Sequence, residues 1–542
     1  GLATSDNDRF LRLWHEVSLG NACLDAKSRD EAKLSEKKWF PCQKGGGYRR
    51  WYGNHEYFVN WGDDGRELLD YAAKLYGSPT RTIKNIQFYF RDGLTWSTLS
   101  SAGMTMRYSP SGFISETKGA VCFFDSENEK LKTLAVLNSN IVDPLILTMS
   151  PTLDFHEGPV GLIPINRNID ESVISLSEEC VAIAKDDWDS KETSWDFKRH
   201  QLSSYQGAVE VAIKDILDRA RDKTGRVKEC EERINEIVIN SYGLNKEISP
   251  YVSASAITLD NNIHFAYSSI LEETDKVKAY ISDLFAEFIS YSIGVMFGRY
   301  SLDVNGLVYA HSGNVGFSDL VKEGKYETFP VDDDGIIPLT DQEWFPDDAT
   351  NRFRDFVNVV WGEYHLQENL DFVADSLCLH AIKPKKSESS IDTIRRYLST
   401  QFYKDHLKTY KKRPIYWLFS SGKQKAFECL VYLHRYNEGT LARMRTEYVI
   451  PLTAKMAAYA QKLENDKEAS GSAAEVKRLE KEIAQLHKQQ AELSEFDEKL
   501  RHYADQRISL DLDDGVKANY GKFGDLLAEV KAITGEAPEA LS

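Results

Sequence analysis

The sequence predicts an α+β protein of several domains, and three observations lead to this fold class. The chain has 542 residues, which is more than one hydrophobic core ordinarily organises. Its first third is rich in glycine, aromatic and β-branched residues, a composition that favours strands and turns. Most of the remainder places apolar residues at intervals of three and four, which is the spacing of helices that bury one face.

The first of these segments, residues 1–165, is predicted to be a strand-rich domain. Short apolar and aromatic runs at 85–90 (NIQFYF) and 119–124 (GAVCFF) are typical of strands. The Ile-Pro-Ile sequence at 163–165 closes this domain. Residues 166–250 are then predicted to form a helical spacer, because the stretches 171–185 and 205–238 combine helical spacing with many opposite charges four residues apart.

The rest of the chain is predicted to be helical, in two parts. Residues 251–452 form an α-rich C-terminal domain that opens with a helix at 275–296, and a turn-rich stretch at 331–338 (VDDDGIIP) is predicted to be a loop. Residues 453–542 form a helical segment and tail, interrupted by Ala-Ser-Gly-Ser at 469–472. Beyond the interruption, the apolar residues follow a coiled-coil seam: Val476, Leu479, Ile483, Leu486, Leu493, Phe496 and Leu500. We interpret the seam as one half of a coiled-coil-like antiparallel pair within the chain, with a dimer as the alternative.

The distribution of charge restricts where a nucleic acid could bind. The formal net charge is −17, which disfavours phosphate contacts over the chain as a whole. Residues 1–120 differ, since they contain 17 Lys and Arg against 14 Asp and Glu, a net charge of +3. Only the N-terminal region is therefore electrostatically suited to DNA, and the acidic remainder fits either support that repels DNA from unproductive surfaces or a solvated helical surface.

Several classes of protein are excluded by the absence of their sequence signatures. The chain has no G-x-S-x-G, no G-x-x-x-x-G-K-[ST] and no H-E-x-x-H motif, so no catalytic residue is assigned. The seven cysteines are scattered and never form C-x-x-C, which is typical of reduced thiols in the cytoplasm. No segment is long and apolar enough to predict a membrane span. The chain opens with Gly and without a signal-peptide pattern, so we expect it to begin inside a longer protein.

Two acidic segments suggest sites but also fit structural roles. The triplet at 332–334 (DDD) could bind a hard cation, yet it lacks the spaced oxygens and distal Glu of a calcium loop, and a solvated turn explains it; no metal site is predicted. Residues 186–197 (DDWDSKETSWDF) crowd carboxylates and indoles together. Asp189 and Glu192 there also fit the N-terminal cap of a helix, with the tryptophans packing beside it.

The best candidate for contact with DNA is the basic and aromatic stretch at 37–54 (KKWFPCQKGGGYRRWYGN), which contains no acidic residue. Basic groups neutralise phosphates, and consecutive glycines let backbone N–H groups approach an anion. The alternative is a glycine hairpin with exposed cations. The predicted DNA-binding residues here are Lys38, Lys44, Gly46, Tyr48, Arg49 and Arg50.

A second group of candidates lies in residues 91–98, 104–108 and 113–119. Arg can read guanine in the major groove, Thr and Ser can contact phosphates or base edges, and Trp can stack. A buried pair of strands with polar faces would produce a similar composition, so this interpretation stays open beside the first. The predicted DNA-binding residues are Arg91, Thr95, Trp96, Ser97, Arg107 and Lys118, and Arg107 is the preferred candidate for base reading.

A series of motifs resembles one known family in colinear order. Residues 1–10 (GLATSDNDRF) resemble the G-L-x-T-G-D-N-D-x-F opening of target-recognition domains in PglX-type methyltransferases of BREX phage-defence systems and in related type IIG restriction-modification enzymes, with Ser5 in place of Gly. The resemblance extends over nearly the whole chain. It continues through residues 38–54, 91–97, 158–165, 187–197, 297–303, 334–338, 412–422, 434–437 and 512–520.

The resemblance implies recognition of double-stranded DNA for transfer of a methyl group from S-adenosylmethionine to adenine N6, with the base flipped into a pocket. The N-P-P-[YF] motif and the glycine-rich cofactor loop of such enzymes are absent from these 542 residues. We therefore expect a preceding methyltransferase domain to bind the cofactor, and this chain alone to be inactive. Other BREX subunits are further possible partners.

Two other functions compete with DNA recognition. The acidic helical segments could form a protein-interaction scaffold that docks other defence-system subunits or the catalytic domain. An independent hydrolase or nuclease is the third reading, and it would require activity in the purified chain by itself.

Overall fold

The computed structural model describes residues 1–149 and 152–538, which form two compact units. The first unit contains residues 1–201 and 211–280, and the second contains residues 202–210 and 281–542. The mixed α+β multidomain class predicted from the sequence is confirmed. The predicted segments 1–165 and 166–250 lie almost entirely within the first unit, whereas 251–452 begins in the first and continues in the second. The finer boundaries at 165, 250 and 452 stay predictions.

The first unit carries two small sheets. A four-stranded sheet has the order β1-β3-β2-β6, and a three-stranded sheet has the order β5-β4-β7. Strands β2 and β6 are parallel, and the other pairs are antiparallel. The strands are β1 Leu11–Leu13, β2 Trp39–Gln43, β3 Tyr57–Asn60, β4 Gly93–Ser97, β5 Met106–Ser109, β6 Ile114–Ser115 and β7 Gly119–Cys122.

Each sheet of this unit packs on a hydrophobic core of its own. Phe40, Val59 and Ile114 are fully or almost fully buried beneath the four-stranded sheet. Leu94 and Met106 from the other sheet pack with apolar residues of the flanking helices. The helices are α1 Asn7–Phe10, α2 Arg29–Leu34, α3 Gly62–Tyr76, α4 Glu127–Leu137, α5 Val142–Met149, α6 Glu157–Gly161, α7 Ser172–Asp189, α8 Val209–Ser241, α9 Ile263–Ala266 and α10 Glu273–Met296, the last of which continues into the second unit.

The predicted helices of this region are confirmed, whereas one predicted strand is wrong. Helices α7, α8 and α10 cover the stretches in which the apolar spacing predicted them. Strand β7 occupies most of the predicted run 119–124. Residues 85–90 do not form a strand, because Asn85 and Phe90 adopt positive φ angles of 60° and 70° and Ile86–Phe88 forms a single 3-10 turn between them. Phe90 is buried there against Phe40.

The second unit is mainly helical and has one small sheet, of order β8-β10-β9. Its strands are β8 Ile336–Pro338, β9 Tyr416–Ser420 and β10 Glu428–Tyr432. The end of the predicted loop at 331–338 is therefore a strand, because Ile336–Pro338 pairs with Cys429–Val431 at the edge of the sheet. The further helices are α11 Phe317–Lys322, α12 Ala349–Trp361, α13 Leu366–His380, α14 Ser390–Tyr397, α15 Tyr403–Thr409, α16 Thr440–Arg443, α17 Ile450–Ala469, α18 Ala473–Asp505, α19 Gly515–Gly521 and α20 Val530–Thr534. Two π-helical segments, Leu398–Phe402 and Met444–Val449, adjoin α14 and α16.

Helices α17 and α18 pack together as a hairpin across the predicted interruption. Residues 470–472 separate them, and Ser472 caps α18 by accepting a hydrogen bond from the Glu475 N–H. Six of the seven seam residues are buried in the core of this unit. They are Leu479, Ile483, Leu486, Leu493, Phe496 and Leu500. Coiled-coil packing of the pair stays a prediction.

Candidate nucleic-acid interface

The three glycines predicted to approach an anion lie in a loop that directly follows β2. We call residues 44–48 the glycine loop. Gly45 and Gly46 have φ angles of 80° and 129°, which favour glycine. A Cβ at Gly45 would lie 2.6 Å from the Lys118 carbonyl oxygen, and one at Gly46 would lie 2.7 Å from the Asn54 side chain. Only glycine fits these two positions without a shift of the surroundings.

Two side chains hold the glycine loop from below. The Ser97 hydroxyl donates to the Gly46 carbonyl at 3.0 Å, and the Asn54 side-chain amide donates to the Gly47 carbonyl at 2.9 Å. Gly46 and Gly47 are themselves exposed. The loop therefore presents backbone at the surface while its carbonyl groups are occupied by the protein beneath it.

Two lysines predicted from the sequence lie at the glycine loop, Lys44 as its first residue and Lys118 beside it. Lys118 is exposed, and its backbone carbonyl lies against Gly45. Lys44 is partly buried, with its ammonium 3.4 Å from the Glu116 carboxylate. The same carboxylate accepts a hydrogen bond from the Lys118 backbone N–H at 2.7 Å, so Glu116 contacts both lysines. The structure thus brings Lys44, Gly46 and Lys118 together, and Tyr48 is half-buried in the same loop.

Arg49 and Arg50 are buried, contrary to the exposed phosphate contacts that were predicted for them. The Arg49 guanidinium lies 2.7 Å from Asp187 and 2.9 Å from Asp260. Arg50 lies 2.9 Å from Glu231, which also accepts the Trp51 indole N–H at 2.7 Å. In this conformation both cations neutralise carboxylates of their own unit and present no charge to a ligand.

Asp187 and Glu231 are buried as deeply as the arginines, whereas Asp260 is 34% exposed. Burial raises the pKa of Glu231, and Arg50 acts in the opposite direction. Burial likewise raises the pKa of Asp187, which also accepts hydrogen bonds from the backbone N–H groups of Asp260 and Asn261 at 2.7 and 3.0 Å. Each carboxylate therefore depends on its arginine for charge compensation.

The sequence did not identify these three carboxylates as partners, although two of them left a signal. Glu231 lies on the apolar face of α8, at helical spacing from the buried residues Val227 and Ile234. A lone acid on such a face indicates a buried cation partner. Asp187 belongs to the segment 186–197, whose predicted role as a helix N-terminus is wrong because α7 ends at Asp189. Asp260 carried no signal.

The predicted readers on β4 and β5 lie inside the first unit. Thr95 and Arg107 are 0% exposed and are direct cross-strand partners. The Trp96 indole donates to the Phe155 carbonyl at 2.7 Å, and Ser97 is buried beneath the glycine loop. These four residues therefore fit the alternative interpretation from the sequence, a buried pair of strands with polar side chains.

Arg91 and Lys38, the remaining predicted residues, are half-buried and lie outside the glycine loop. The Arg91 guanidinium lies 5.7 Å from the ring centres of Phe88 and Phe123, which fits cation–π contacts. Lys38 lines a groove of about 480 Å³ together with residues of both charges. The other lining residues are Glu36, Lys37, Asn60, Gly62, Asp63, Arg66, Glu67 and Asp70.

Metal and membrane sites were searched over residues 1–149 and 152–538. Within these ranges, no group of three or more His, Cys, Asp or Glu residues is arranged to hold a metal ion. No helix in them combines the length and apolarity that crossing a bilayer requires.

Comparison with known proteins covers the chain from end to end. It is 48% identical over 544 aligned residues to the adenine-specific methyltransferase BrxX of Escherichia coli O9:H4 (strain HS). The chain is similar to adenine-specific methyltransferases. A second relative, the adenine-specific methyltransferase PglX of Lacticaseibacillus casei (strain Zhang), is 36% identical over 543 residues. The alignments cover 100% and 98% of this chain but only 44% and 42% of the two relatives, so the chain spans less than half their length. No protein-family model matches it.

Proposed function

We propose that this chain supplies sequence-specific recognition of double-stranded DNA for an adenine-specific DNA methyltransferase of the BREX type. The observation that carries the proposal is similarity to two adenine-specific methyltransferases over 100% and 98% of the chain. Enzymes that modify one base must locate it within a sequence, and part of their length has to serve that purpose. In a BREX system the modification would mark host DNA as self.

The glycine loop and its two lysines are the proposed contact with the DNA backbone. Lys44 and Lys118 supply positive charge beside the exposed backbone of Gly46 and Gly47. Lysines neutralise phosphates, and glycine removes the side chain that would keep a phosphate from the backbone. We retain Tyr48, Arg91 and Lys38 as secondary candidates, since each is partly exposed.

S-adenosylmethionine, the methyl donor of such enzymes, does not fit the glycine loop. Cofactor-binding glycine loops connect a strand to the N-terminus of a helix, whose N–H groups and dipole hold the ligand. Here the glycines follow β2 and the chain returns as β3, without an intervening helix. We propose that cofactor binding and methyl transfer require the remainder of the relatives' length, and that this chain alone does not methylate DNA.

Binding of the full chain to labelled duplexes at several salt concentrations tests the proposal. Affinity should fall steeply with salt, because each neutralised phosphate releases counterions. The double variant Lys44→Ala/Lys118→Ala should weaken binding to all sequences and reduce the slope of log K against log salt by about 2. Lys488→Ala, an exposed lysine on α18, is the matched control and should change neither quantity. Salt-independent binding, or equal effects of the two sets of variants, would contradict the proposal.

Four exposed leucines favour a second role, contact with another protein. Leu99, Leu147, Leu153 and Leu162 are between 56% and 72% exposed. Two of them are neighbours, since the Ser100 N–H donates to the Leu153 carbonyl. Contiguous exposed apolar surface marks interaction sites, and Leu99 with Leu153 is the part of this set that the structure shows to be contiguous. We propose that it contacts the catalytic part of the methyltransferase or another subunit of the system.

Retention of the chain on an immobilised catalytic part of BrxX tests this second role. The double variant Leu99→Ser/Leu153→Ser should be retained less than the wild type. Leu34→Ser, at a leucine that is 81% exposed elsewhere in the unit, is the control. Equal retention of all three proteins would exclude the leucines from such a contact.

A further inference from the structure

Arg107 differs from Arg49 and Arg50 in forming no ion pair with a carboxylate. Its side chain is 0% exposed. Among the described residues, its guanidinium reaches only the Arg49 carbonyl and the Ser97 hydroxyl, each at 3.4 Å, and its Nε has no partner. Arg49 and Arg50, in contrast, each meet a carboxylate at 2.7 to 2.9 Å. Among the described residues no carboxylate pairs directly with Arg107, and attraction by the more distant Glu56 offsets the effect of burial on its pKa only in part.

Other buried polar atoms near Arg107 are also unsatisfied. The Thr95 hydroxyl, directly opposite on β4, has no partner among the described residues. The Gln43 side-chain oxygen has none either, although its amide nitrogen donates to Ser109 on the same strand as Arg107. Burial lowers the pKa of Arg107 to about 10, and repulsion by Arg49 adds to this effect. Buried polar groups without partners destabilise a fold, and they are expected where residues serve a functional site.

We interpret the glycine loop as a cover over Arg107, because Ser97 connects the two. The Ser97 hydroxyl accepts from Arg107 and donates to the Gly46 carbonyl, and it therefore joins the buried cation to the cover. The exposed part of the cover, Gly46 and Gly47, is held by that bond and by the bond from Asn54 to Gly47, while Lys44 and Tyr48 at the two ends of the loop contact Glu116 and Arg50. Gly47 is exposed, and a Cβ there would meet no atom within 4 Å. The exposed Gly46 and Gly47 can therefore move without disrupting a packed core, whereas Gly45 stays packed against Lys118.

We propose that Arg107 is a concealed DNA-binding residue, and that the duplex displaces the glycine loop so that the guanidinium pairs with two hydrogen-bond acceptors on the DNA. This inference rests on the proposed function. The chemistry required is a pair of adjacent acceptors, which a phosphate offers through its oxygens and a guanine offers through O6 and N7. Two planar donors in a fixed fork suit either source.

A comparison of stability with DNA affinity tests the proposal. Arg107→Met removes the charge and keeps much of the volume. We expect its Tm to equal or exceed that of the wild type, because a buried charge without a direct ion-pair partner is lost, while its affinity for cognate duplex falls about ten-fold or more. Arg49→Met is the matched control, and its Tm should fall because Asp187 loses its cation. Two results would overturn this inference but not the proposed function, provided that the wild type binds DNA. One is a fall in the Tm of Arg107→Met as large as that of Arg49→Met, and the other is an affinity of Arg107→Met for DNA equal to that of the wild type. A wild type that binds no duplex would overturn the proposed function as well.

Arg107→Lys distinguishes the two acceptor sources. If the acceptors belong to a phosphate, lysine should restore binding, and the defect of Arg107→Met should be the same for all sequences. If they belong to a guanine, Arg107→Met should relax the preference at one base pair, and lysine should restore the preference only in part. Full restoration of affinity and preference in a variant without any side-chain charge at this position would contradict both.

Chemical labelling tests whether the glycine loop acts as the cover. Phenylglyoxal should leave Arg107 unmodified in the free wild type, as mass spectrometry would show, because the guanidinium is inaccessible. Ser97→Ala removes the bond to Gly46 and should make Arg107 reactive, whereas Ser111→Ala, outside the loop, should not. Rapid labelling of Arg107 in the free wild type, or no increase with Ser97→Ala, would show that the loop does not conceal it.

Discussion

The buried ion pair between Arg50 and Glu231 gives the sharpest test of the first unit. Both side chains are less than 10% exposed, and the atoms that carry their charges are 2.9 Å apart. Removal of one member of a buried pair leaves an uncompensated charge and costs about 3 to 5 kcal/mol, whereas an exposed pair contributes about 1 kcal/mol or less. We expect Arg50→Met to fall in the first range.

The partner variant and the double variant complete a thermodynamic cycle. Glu231→Gln keeps an acceptor for the Trp51 indole but leaves Arg50 charged, so it should also cost about 3 to 5 kcal/mol. Combination of Arg50→Met with Glu231→Gln should cost much less than the sum of the two, because no charge is then left buried. The coupling energy isolates the ion pair from the loss of packing.

Urea denaturation followed by tryptophan fluorescence measures these free energies of unfolding. The transition that shifts belongs to the first unit, since both residues lie there. The control is Arg226→Met, at an arginine of the same helix α8 whose side chain is 48% exposed and pairs with Glu179. Its cost should stay near or below about 1 kcal/mol. Single-variant costs no larger than that of Arg226→Met, or simple additivity in the double variant, would refute the reasoning from burial.

Three further predictions concern pH, a close backbone approach and the helical hairpin. Burial lowers the pKa of His55 from 6.5 to about 3, so between these pH values acid protonates the imidazole in the unfolded state only and destabilises the fold. His55→Phe should therefore reduce the loss of unfolding free energy on acidification by about 1.4 kcal/mol per pH unit. An unchanged slope of unfolding free energy against pH, measured by denaturation, would contradict this. Gly119→Ala should destabilise the first unit by more than about 2 kcal/mol, because the added Cβ would lie 2.3 Å from the Gln43 carbonyl oxygen. A Tm equal to that of the wild type would contradict this, since it would show that the backbones at Gly119 and Gln43 can move apart without cost. In the hairpin, Leu486→Ala should cost about 2 to 5 kcal/mol while Lys488→Ala costs almost nothing, and equal Tm values would place the seam outside the core.

The sequence predicted the helices of this chain better than its buried charges. Apolar periodicity predicted α7, α8 and α10, because the apolar residues of one helix face recur every three or four positions within a short stretch of sequence. The edge strand at Ile336–Pro338 was missed because its partner β10 lies more than 90 residues away. No local pattern specifies such a pairing.

The candidate site shows the same limit at single residues. Arg49 and Arg50 resemble exposed cations in a glycine-rich loop, and the carboxylates that bury them lie 138 and 181 residues further along the chain. Lys118 and Gly46 kept the exposure that the sequence predicted, because turns between strands place short polar segments at the surface. Burial of Arg107 depends on how β4, β5 and the glycine loop are stacked, which the composition of the strands does not specify.

The ion pairs of Arg49 and Arg50 define which part of the chain can be exchanged between related enzymes. A chimera that transplants residues 1–165 alone would carry both arginines away from Asp187, Glu231 and Asp260, and the acceptor scaffold would have to provide three carboxylates in register. A graft of residues 1–280 keeps every one of these contacts within the transferred piece. A chimera should therefore be joined beyond the three carboxylates and not directly after the strand-rich segment 1–165.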